Sequence, residues 1–509
     1  MTSFSGVRDR LARMDPLVPL LCAVAAALYV LHGFDGYLSR DLGDYAYGGQ
    51  QVAEGVPPYV AVVNRAGPLA HLIPGVGAAL SGWVGVDQVV GMRVFLMFFA
   101  IAAIAVTYLL GRDVFRSRLA GVAAAASLVG CQGFIAYASD GPREKTSMVL
   151  FLLCAMLAMA HRRWLTMGFF TALATLCWQP VLLVAMAGAV AAVVLGQSEG
   201  RLKALGRFAV GGLFPTAVTV GCYAAVGAFD IFWDDFFLIN ARYTQQISLV
   251  TNPDEAWRML VEGYGPSLAL FLTGLAAITV LAVLALRPTP DRRDTVRVNL
   301  LATGAILVAG VAWSLRAFNG FPDAFIMLPP AALGIGGLVA GLASRVSLRT
   351  AVFATAAWTV AATAIGASYA ISTRDDTLDE QRASVDAVLD VLPPDARILS
   401  VEAPQPLVLA HQRNLSRLQL FGNGLIDYVD DTWPGGRDGY GRWIGRQKPT
   451  LIALGNHGTV PDWLDPTLDR GYHRVGTSIG WDWYVHKGVG RQTRDELRKI
   501  VKDTYVPVD

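Results

Sequence analysis

Long apolar runs separated by short polar connectors dominate the first three-quarters of the chain. A helix needs about 20 apolar residues to cross a hydrocarbon core. Runs near that length fall at 16–34, 90–111, 119–138, 147–160, 165–179, 181–196, 208–228, 265–286, 298–315, 323–343 and 350–371. They predict about eleven membrane-spanning helices. The runs at 147–160 and 165–179 are short for that purpose. A further run, Leu69 to Val84, is broken by Pro74, Gly75, Gly77 and Gly82, which predicts a half-embedded interfacial helix or a further span. The glycines from Gly334 to Gly341 predict close helix packing. The first run, Pro16 to Leu31, lacks a small-residue cleavage site and is expected to be a retained span, not a signal peptide.

The connectors alternate in charge. Arginines and a lysine gather at Arg8/Arg10/Arg13, Arg112/Arg116/Arg118, Arg162/Arg163, Arg201/Lys203/Arg207, Arg287/Arg292/Arg293/Arg297 and Arg345/Arg349. By the positive-inside rule these connectors are cytoplasmic. The alternation holds only if 69–84 stays on the outer face. The expected chain is therefore a multi-pass plasma-membrane protein, with its N-terminus inside and its C-terminus outside. The outer connectors are 35–89, 139–146, 229–264 and 316–322, and long loops on a rigid scaffold are where chemistry is expected.

After residue 371 the pattern changes. Thr377-Leu378-Asp379-Glu380 predicts a capping box opening a helix to about Leu392. Arg397 to Glu402 and Thr450 to Leu454 predict short buried strands, and Asp462 to Asp469 a helix. Tyr472 to Val475 and Trp481 to His486 predict paired strands around a turn at Gly480. The expected architecture is a polytopic α-helical membrane domain, 1–371, with its catalytic loop at 35–89. A small extracytoplasmic α/β domain, 372–509, follows it.

Composition agrees with the hydropathy pattern. The chain is 54% hydrophobic and 16% charged, which is membrane-protein composition. The net charge of +2 says nothing about nucleic acid, and no Lys/Arg-rich run suggests a basic arm, so no nucleic-acid partner is expected. The five cysteines, Cys22, Cys131, Cys154, Cys177 and Cys222, sit in apolar stretches and read as buried apolar residues, not disulfides or ligands. His457 and His473 have no cysteine partners for zinc. No dense carboxylate/His cluster suggests a divalent metal, and no cofactor is implied.

Asp41 and Asp44 stand out just past the first apolar run. Ionisable groups at the edge of a helical bundle commonly mark a substrate or ion site. They head the stretch Asp41-Leu-Gly-Asp44-Tyr45-Ala-Tyr47-Gly-Gly-Gln-Gln-Val-Ala-Glu54-Gly55-Val-Pro-Pro58-Tyr59, followed by Asn64-Arg65-Ala-Gly67-Pro68. That stretch resembles the first external loop of GT-C glycosyltransferases. The nearest branch is the family-39-like one, with the protein mannosyltransferases and the aminoarabinose transferase of lipid A. Gly141-Pro142-Arg143-Glu144-Lys145, Trp178-Gln179-Pro180 and Arg316-Ala-Phe318-Asn319-Gly-Phe321 are weaker echoes in the same order. The sequence departs from the pattern where the usual Asp-Glu pair is Asp41-Leu42, where the basic residue Arg65 is shifted by one, and where a lysine is replaced by Trp178.

The resemblance implies transfer of a sugar from a polyprenyl-phosphate donor to a lipid, glycan or protein acceptor on the outer face of the bilayer. The leaving group is already a phosphate, so the main demand is a base for the acceptor hydroxyl. Asp41 is the first candidate base and Asp44 the second, with a pKa raised by partial burial. A single displacement would invert the anomeric centre. Candidate donor-phosphate cations are Arg65, Arg143, Lys145, Arg242 and Arg316. Candidate substrate contacts are Tyr45, Tyr59, Asn64, His71, Glu144, Gln179 and Asn319. Bland readings stand beside these: a helix cap for the aspartates, a surface pair for Glu144 and Lys145, and an aromatic belt for the Trp233 to Tyr243 region. Competing functions are a lipid-linked glycan ligase, a transporter or flippase, and a membrane anchor presenting the C-terminal module.

Overall fold

A computed structural model of the chain describes residues 15–196, 200–245, 248–287, 295–455 and 460–504. Arg8, Arg10, Arg13, Arg292, Arg293 and His457 lie outside the described residues. The apolar runs are mainly helical, and most map onto a single element. Examples are Leu17–His32, Gln88–Phe115, Glu144–Ala160, Trp164–Cys177, Val181–Gly196, Arg201–Ala225, Leu268–Ala285, Thr295–Arg316, Leu328–Ala343 and Leu348–Ser372. The run at 119–138 departs from expectation. It is two helices, Arg118–Val129 and Gln132–Ser139, bent by 66°. Among the described residues, six helices are long and apolar enough to cross a membrane, or seven if the bent pair is one span. Leu17–His32, Leu69–Val84, Trp164–Cys177 and Val181–Gly196 are apolar but shorter.

The helices facing outward carry large exposed apolar side chains, such as Leu213, Phe214 and Val218 on Arg201–Ala225 and Phe353 and Val360 on Leu348–Ser372. Apolar patches of that extent on soluble monomers are rare, and here they are the surface a bilayer covers. The protein is a multi-pass membrane protein.

Leu17–His32 relates the two ends of the bundle. At its start Asp15 pairs with Arg118 at 3.1 Å and Arg112 at 3.6 Å. At its end His32 lies 3.7 Å from Asp140, and Arg93 donates to the carbonyls of Phe34 and Gly36 at 2.7 and 2.9 Å. The 16-residue helix separates these clusters by about 24 Å at 1.5 Å per residue. The Arg112 connector and the 33–36 connector therefore sit at opposite ends.

The expected loop 35–89 opens on a helix, Arg40–Ala53, capped by Ser39, whose hydroxyl accepts from Leu42 N at 3.3 Å. The C-terminal part holds a four-stranded sheet of β1 (Ile398–Val401), β2 (Leu451–Gly455), β3 (Tyr472–Ser478) and β4 (Trp481–His486), in the order β1-β2-β4-β3. β1 and β2 are parallel; β2–β4 and β3–β4 are antiparallel. The helix Thr377–Asp390 begins where expected, but no capping box forms: Asp376 is the cap residue and makes no side-chain bond. The expected helix at Asp462 starts later, at Asp465.

The sheet layer packs directly on Arg40–Ala53. Leu38, Ala46 and Tyr47 share one apolar core with Leu378, Val385, Ile398, Trp481 and Trp483. Asn414 N donates to Tyr47 Oη at 3.0 Å, and Gln50 Nε2 donates to Val408 O at 3.1 Å. A Cβ at Gly43 would lie 3.2 Å from Gln405 N and Pro404, so glycine lets the two layers touch.

Candidate active site

Segments distant in the chain meet around a cavity of about 400 Å³. Arg40, Asp41, Asp44 and Tyr45 project into it from the first turns of Arg40–Ala53, a spacing that puts them on one helix face. Asn64, Arg65 and Ala66 form a second wall; Arg143, Glu144 and Lys145 a third. Trp178 to Pro180 and Leu183 face Trp313, Ala317 and Asn319. Asn240 and Thr244 meet Leu420, Gly422, Asn423 and Leu425 of the C-terminal part, which closes the cavity.

The two aspartates differ in environment. The Asp41 side chain is 39% exposed. Its Oδ1 accepts from Arg40 Nε and Nη2 at 3.2 and 3.1 Å, and its Oδ2 lies 3.5 Å from Arg143 Nη2. Burial pushes this carboxyl up, but the Arg143 and Arg40 charges outweigh it and hold it below the usual range. Asp44 is 2% exposed. Its Oδ2 accepts from Asn64 Nδ2 at 2.7 Å, while Oδ1 has no partner among the described residues. Burial pushes Asp44 up to about 8, against the opposing bond from Asn64. At neutral pH Asp41 is ionised and Asp44 carries its proton. The expectation of a raised pKa therefore fits Asp44 and is wrong for Asp41, because two guanidinium groups flank Asp41.

Lys145 is not half of a surface pair. It lies in the first turn of Glu144–Ala160 inside the bundle and is 2% exposed, with Glu144 at 3%. Its Nζ lies 3.0 Å from Asp323 Oδ1, 3.5 Å from Glu144 Oε1 and 3.0 Å from the Trp178 ring centroid. Trp178 thus stacks on the Lys145 ammonium. Arg143 donates to Tyr137 Oη at 2.8 Å and sits 5.8 Å from the Tyr45 ring. Arg65 donates to Asn423 O at 3.0 Å, and Gln179 Nε2 holds Arg65 O at 2.9 Å. Asn319 N donates to Asp323 Oδ2 at 2.9 Å.

Four expected site residues lie elsewhere. Arg242 and Arg316 are exposed and do not line the cavity. Tyr59 is fully buried; its Oη donates to Ala66 O at 2.6 Å and its ring packs on Tyr223 and Phe232. His71 is fully buried and stacks behind Tyr45, ring centroids 5.6 Å apart, so it supports the lining without joining it. Gly48 makes room for it: a Cβ there would lie 2.0 Å from His71 Nδ1.

Other contributors are not among the expected site residues. Arg40 is adjacent to Asp41, which was signal enough. Arg93 opens the apolar run 90–111, and a lone arginine there is a flag. It is fully buried and donates to Gly141 O at 2.8 Å, two residues before Arg143. Asp235 is fully buried, pairs with Arg417 of the C-terminal part and is pushed up to about 7 by burial. Glu402, Asn240, Thr244 and the 420–425 segment carried no sequence signal. Among the described residues, no group of three or more His, Cys, Asp or Glu could hold a metal ion.

No protein-family model matches the sequence, and no curated protein matches it. Solved structures do. ArnT from Cupriavidus metallidurans in the apo state superposes with TM-score 0.64 at 12% identity, over 97% of this chain and 99% of that one. The same protein bound to undecaprenyl phosphate gives 0.63 at 13% identity, with the same coverage. The archaeal oligosaccharyltransferase AglB from Archaeoglobus fulgidus, in complex with an inhibitory peptide and a dolichol-phosphate, gives 0.53 at 12% identity. That match covers 96% of this chain and 75% of that one. Taken with the helical bundle and the cavity under its C-terminal sheet layer, these matches give the chain the fold of the GT-C membrane glycosyltransferases.

Proposed function

We propose that this chain is a membrane glycosyltransferase that moves a sugar from a polyprenyl-phosphate carrier to an acceptor hydroxyl. The observation that carries the proposal is Asp41: an ionised carboxylate open to a cavity that also gathers Arg40, Arg65, Arg143 and Lys145. Two of the similar structures hold polyisoprenoid phosphates, the class of carrier such a cation set would bind. In the proposed step the acceptor oxygen attacks the anomeric carbon and the bond from that carbon to the phosphate oxygen breaks. Asp41 takes the acceptor proton, and the phosphate leaves on its lipid with the anomeric centre inverted. Arg65, Arg143 and Lys145 balance the phosphate charge. Asp44, holding its proton, offers a hydrogen bond through its second oxygen. Leu183, 58% exposed at the cavity edge, and Trp313 form an apolar side for the carrier chain. The cavity lies at the end of the bundle away from the Arg112 connector, so the reaction is assigned to the extracytoplasmic face.

The test is mass spectrometry of envelope lipids and glycans from a deletion strain complemented with wild type, Asp41→Asn or Asp44→Asn. Asp41→Asn is expected to lower the missing product by roughly 10²- to 10⁴-fold, the usual worth of a general base. Asp44→Asn, which mimics the protonated acid, is expected to restore most of it. Full restoration by Asp41→Asn removes Asp41 as the base.

A further inference from the structure

The C-terminal part does more than roof the cavity. Glu402 follows β1, with its backbone in the left-handed region at φ 57°. There its carboxylate turns toward the bundle and is divided between two tasks. Its Oε1 accepts from Phe421 N at 2.6 Å and Gly422 N at 3.1 Å, at the base of the 420–425 segment that lines the cavity. Its Oε2 accepts from Arg40 Nη1 at 2.8 Å. The same guanidinium holds Asp41 Oδ1 through Nε and Nη2. One arginine therefore spans two carboxylates, one on each side of the layer contact. Glu402 does not line the cavity.

We infer that Glu402 is a positioning residue: through Arg40 it fixes the direction of the Asp41 carboxylate and couples it to the 420–425 wall. This rests on Asp41 being the base. A planar guanidinium can hold two carboxylates at once; an ammonium lacks the fork to do so. With Glu402 neutral, Phe421 and Gly422 keep an acceptor, but Arg40 loses the ion pair that ties it, and Asp41 with it, to the 420–425 wall. Misplacing a reacting group by about 1 Å costs on the order of 10²-fold in rate. The layer contact has other fastenings, among them Arg413 Nη2 to Glu54 Oε2 at 2.7 Å, an exposed pair just past the end of the same helix. Loss of Glu402 therefore leaves the layers docked while it breaks the Arg40–Glu402 pair.

The experiment uses the full chain. Glu402→Gln, Arg40→Lys, Arg40→Gln, the Arg40→Gln/Glu402→Gln double variant, Arg413→Gln and Asp41→Asn are compared for envelope product in the complemented deletion strain. Each purified protein is checked for thermal unfolding and for binding of undecaprenyl phosphate. Glu402→Gln and Arg40→Lys are expected to lower product by roughly 10- to 100-fold, while melting and undecaprenyl phosphate binding of Glu402→Gln stay unchanged. Arg413→Gln is expected to stay at the wild-type level. The double variant is expected to fall no further than Arg40→Gln, since linked residues are non-additive. Wild-type output from Glu402→Gln or Arg40→Lys overturns the inference. So does an equal loss from Arg413→Gln, which would reduce Glu402 to a docking contact, or multiplied losses in the double variant. Full restoration by Asp41→Asn fails the base assignment itself, an outcome distinguishable from all of these.

Discussion

Asp44→Asn tests whether a buried carboxylic acid sits beside the ionised Asp41. Burial moves Asp44 from its ordinary 3.8 up to about 8. Between those values the folded chain keeps a proton that the unfolded chain has released. The stability linked to that proton is full below the lower value and is lost as pH rises through the upper one. Integrating the linkage from pH 6 to pH 9 gives a loss of about 3 kcal/mol from this single group. The asparagine of the variant cannot titrate, yet it keeps an oxygen to accept from Asn64 Nδ2, as Asp44 Oδ2 does at 2.7 Å. Asp41, held low, is ionised across this window and contributes no slope there. Asp235, pushed up to about 7, does titrate, but equally in both proteins, so the difference between them isolates Asp44. The assay is thermal unfolding of the purified chain and the variant at several pH values from 6 to 9. The wild type is expected to lose midpoint temperature relative to the Asp44→Asn variant as pH rises, with most of the divergence complete by about pH 8.5. Parallel curves refute the neutral-acid assignment.

Two further outcomes follow from the packing. Lys145→Met leaves Asp323 and Glu144 buried without their shared cation, now 3.0 and 3.5 Å from Nζ; a loss of about 3–5 kcal/mol is expected in unfolding experiments. Gly48→Ala places a methyl where the His71 ring now sits, 2.0 Å from Nδ1, and is expected to destabilise by about 1–3 kcal/mol. That loss should largely vanish in a His71→Ala background, and an undiminished loss there would refute the steric account.

Much of the fold was legible because it is local. An apolar run declares itself wherever it lies, and each expected span is mainly helical in the structure. The strands of the sheet were legible for the same reason, as short apolar runs bounded by turn residues. The errors fell where a contact far away in the chain decides the outcome. The bend between Val129 and Gln132 interrupts a run that reads as continuous. The Thr377 capping box does not form although its sequence is present. Arg242 and Arg316 match Arg65 and Arg143 in residue type and expected side of the membrane, but only the latter two reach the cavity.

Sequence alone determined that this is a helical membrane protein with a small C-terminal α/β layer, and it singled out Asp41 and Asp44, which line the cavity. Hydropathy and residue order suffice for that, since burial in lipid and local turn chemistry act on neighbours. Tertiary structure decided which carboxylate is charged. Asp41 and Asp44 stand one helical turn apart, yet one meets two guanidinium groups and the other only a carboxamide. A carboxyl's protonation depends on charges within a few ångströms and on water access. Here those charges come from residues 40, 65 and 143, while the distant Glu402 anchors Arg40. No stretch of sequence contains that arrangement; folding brings it together.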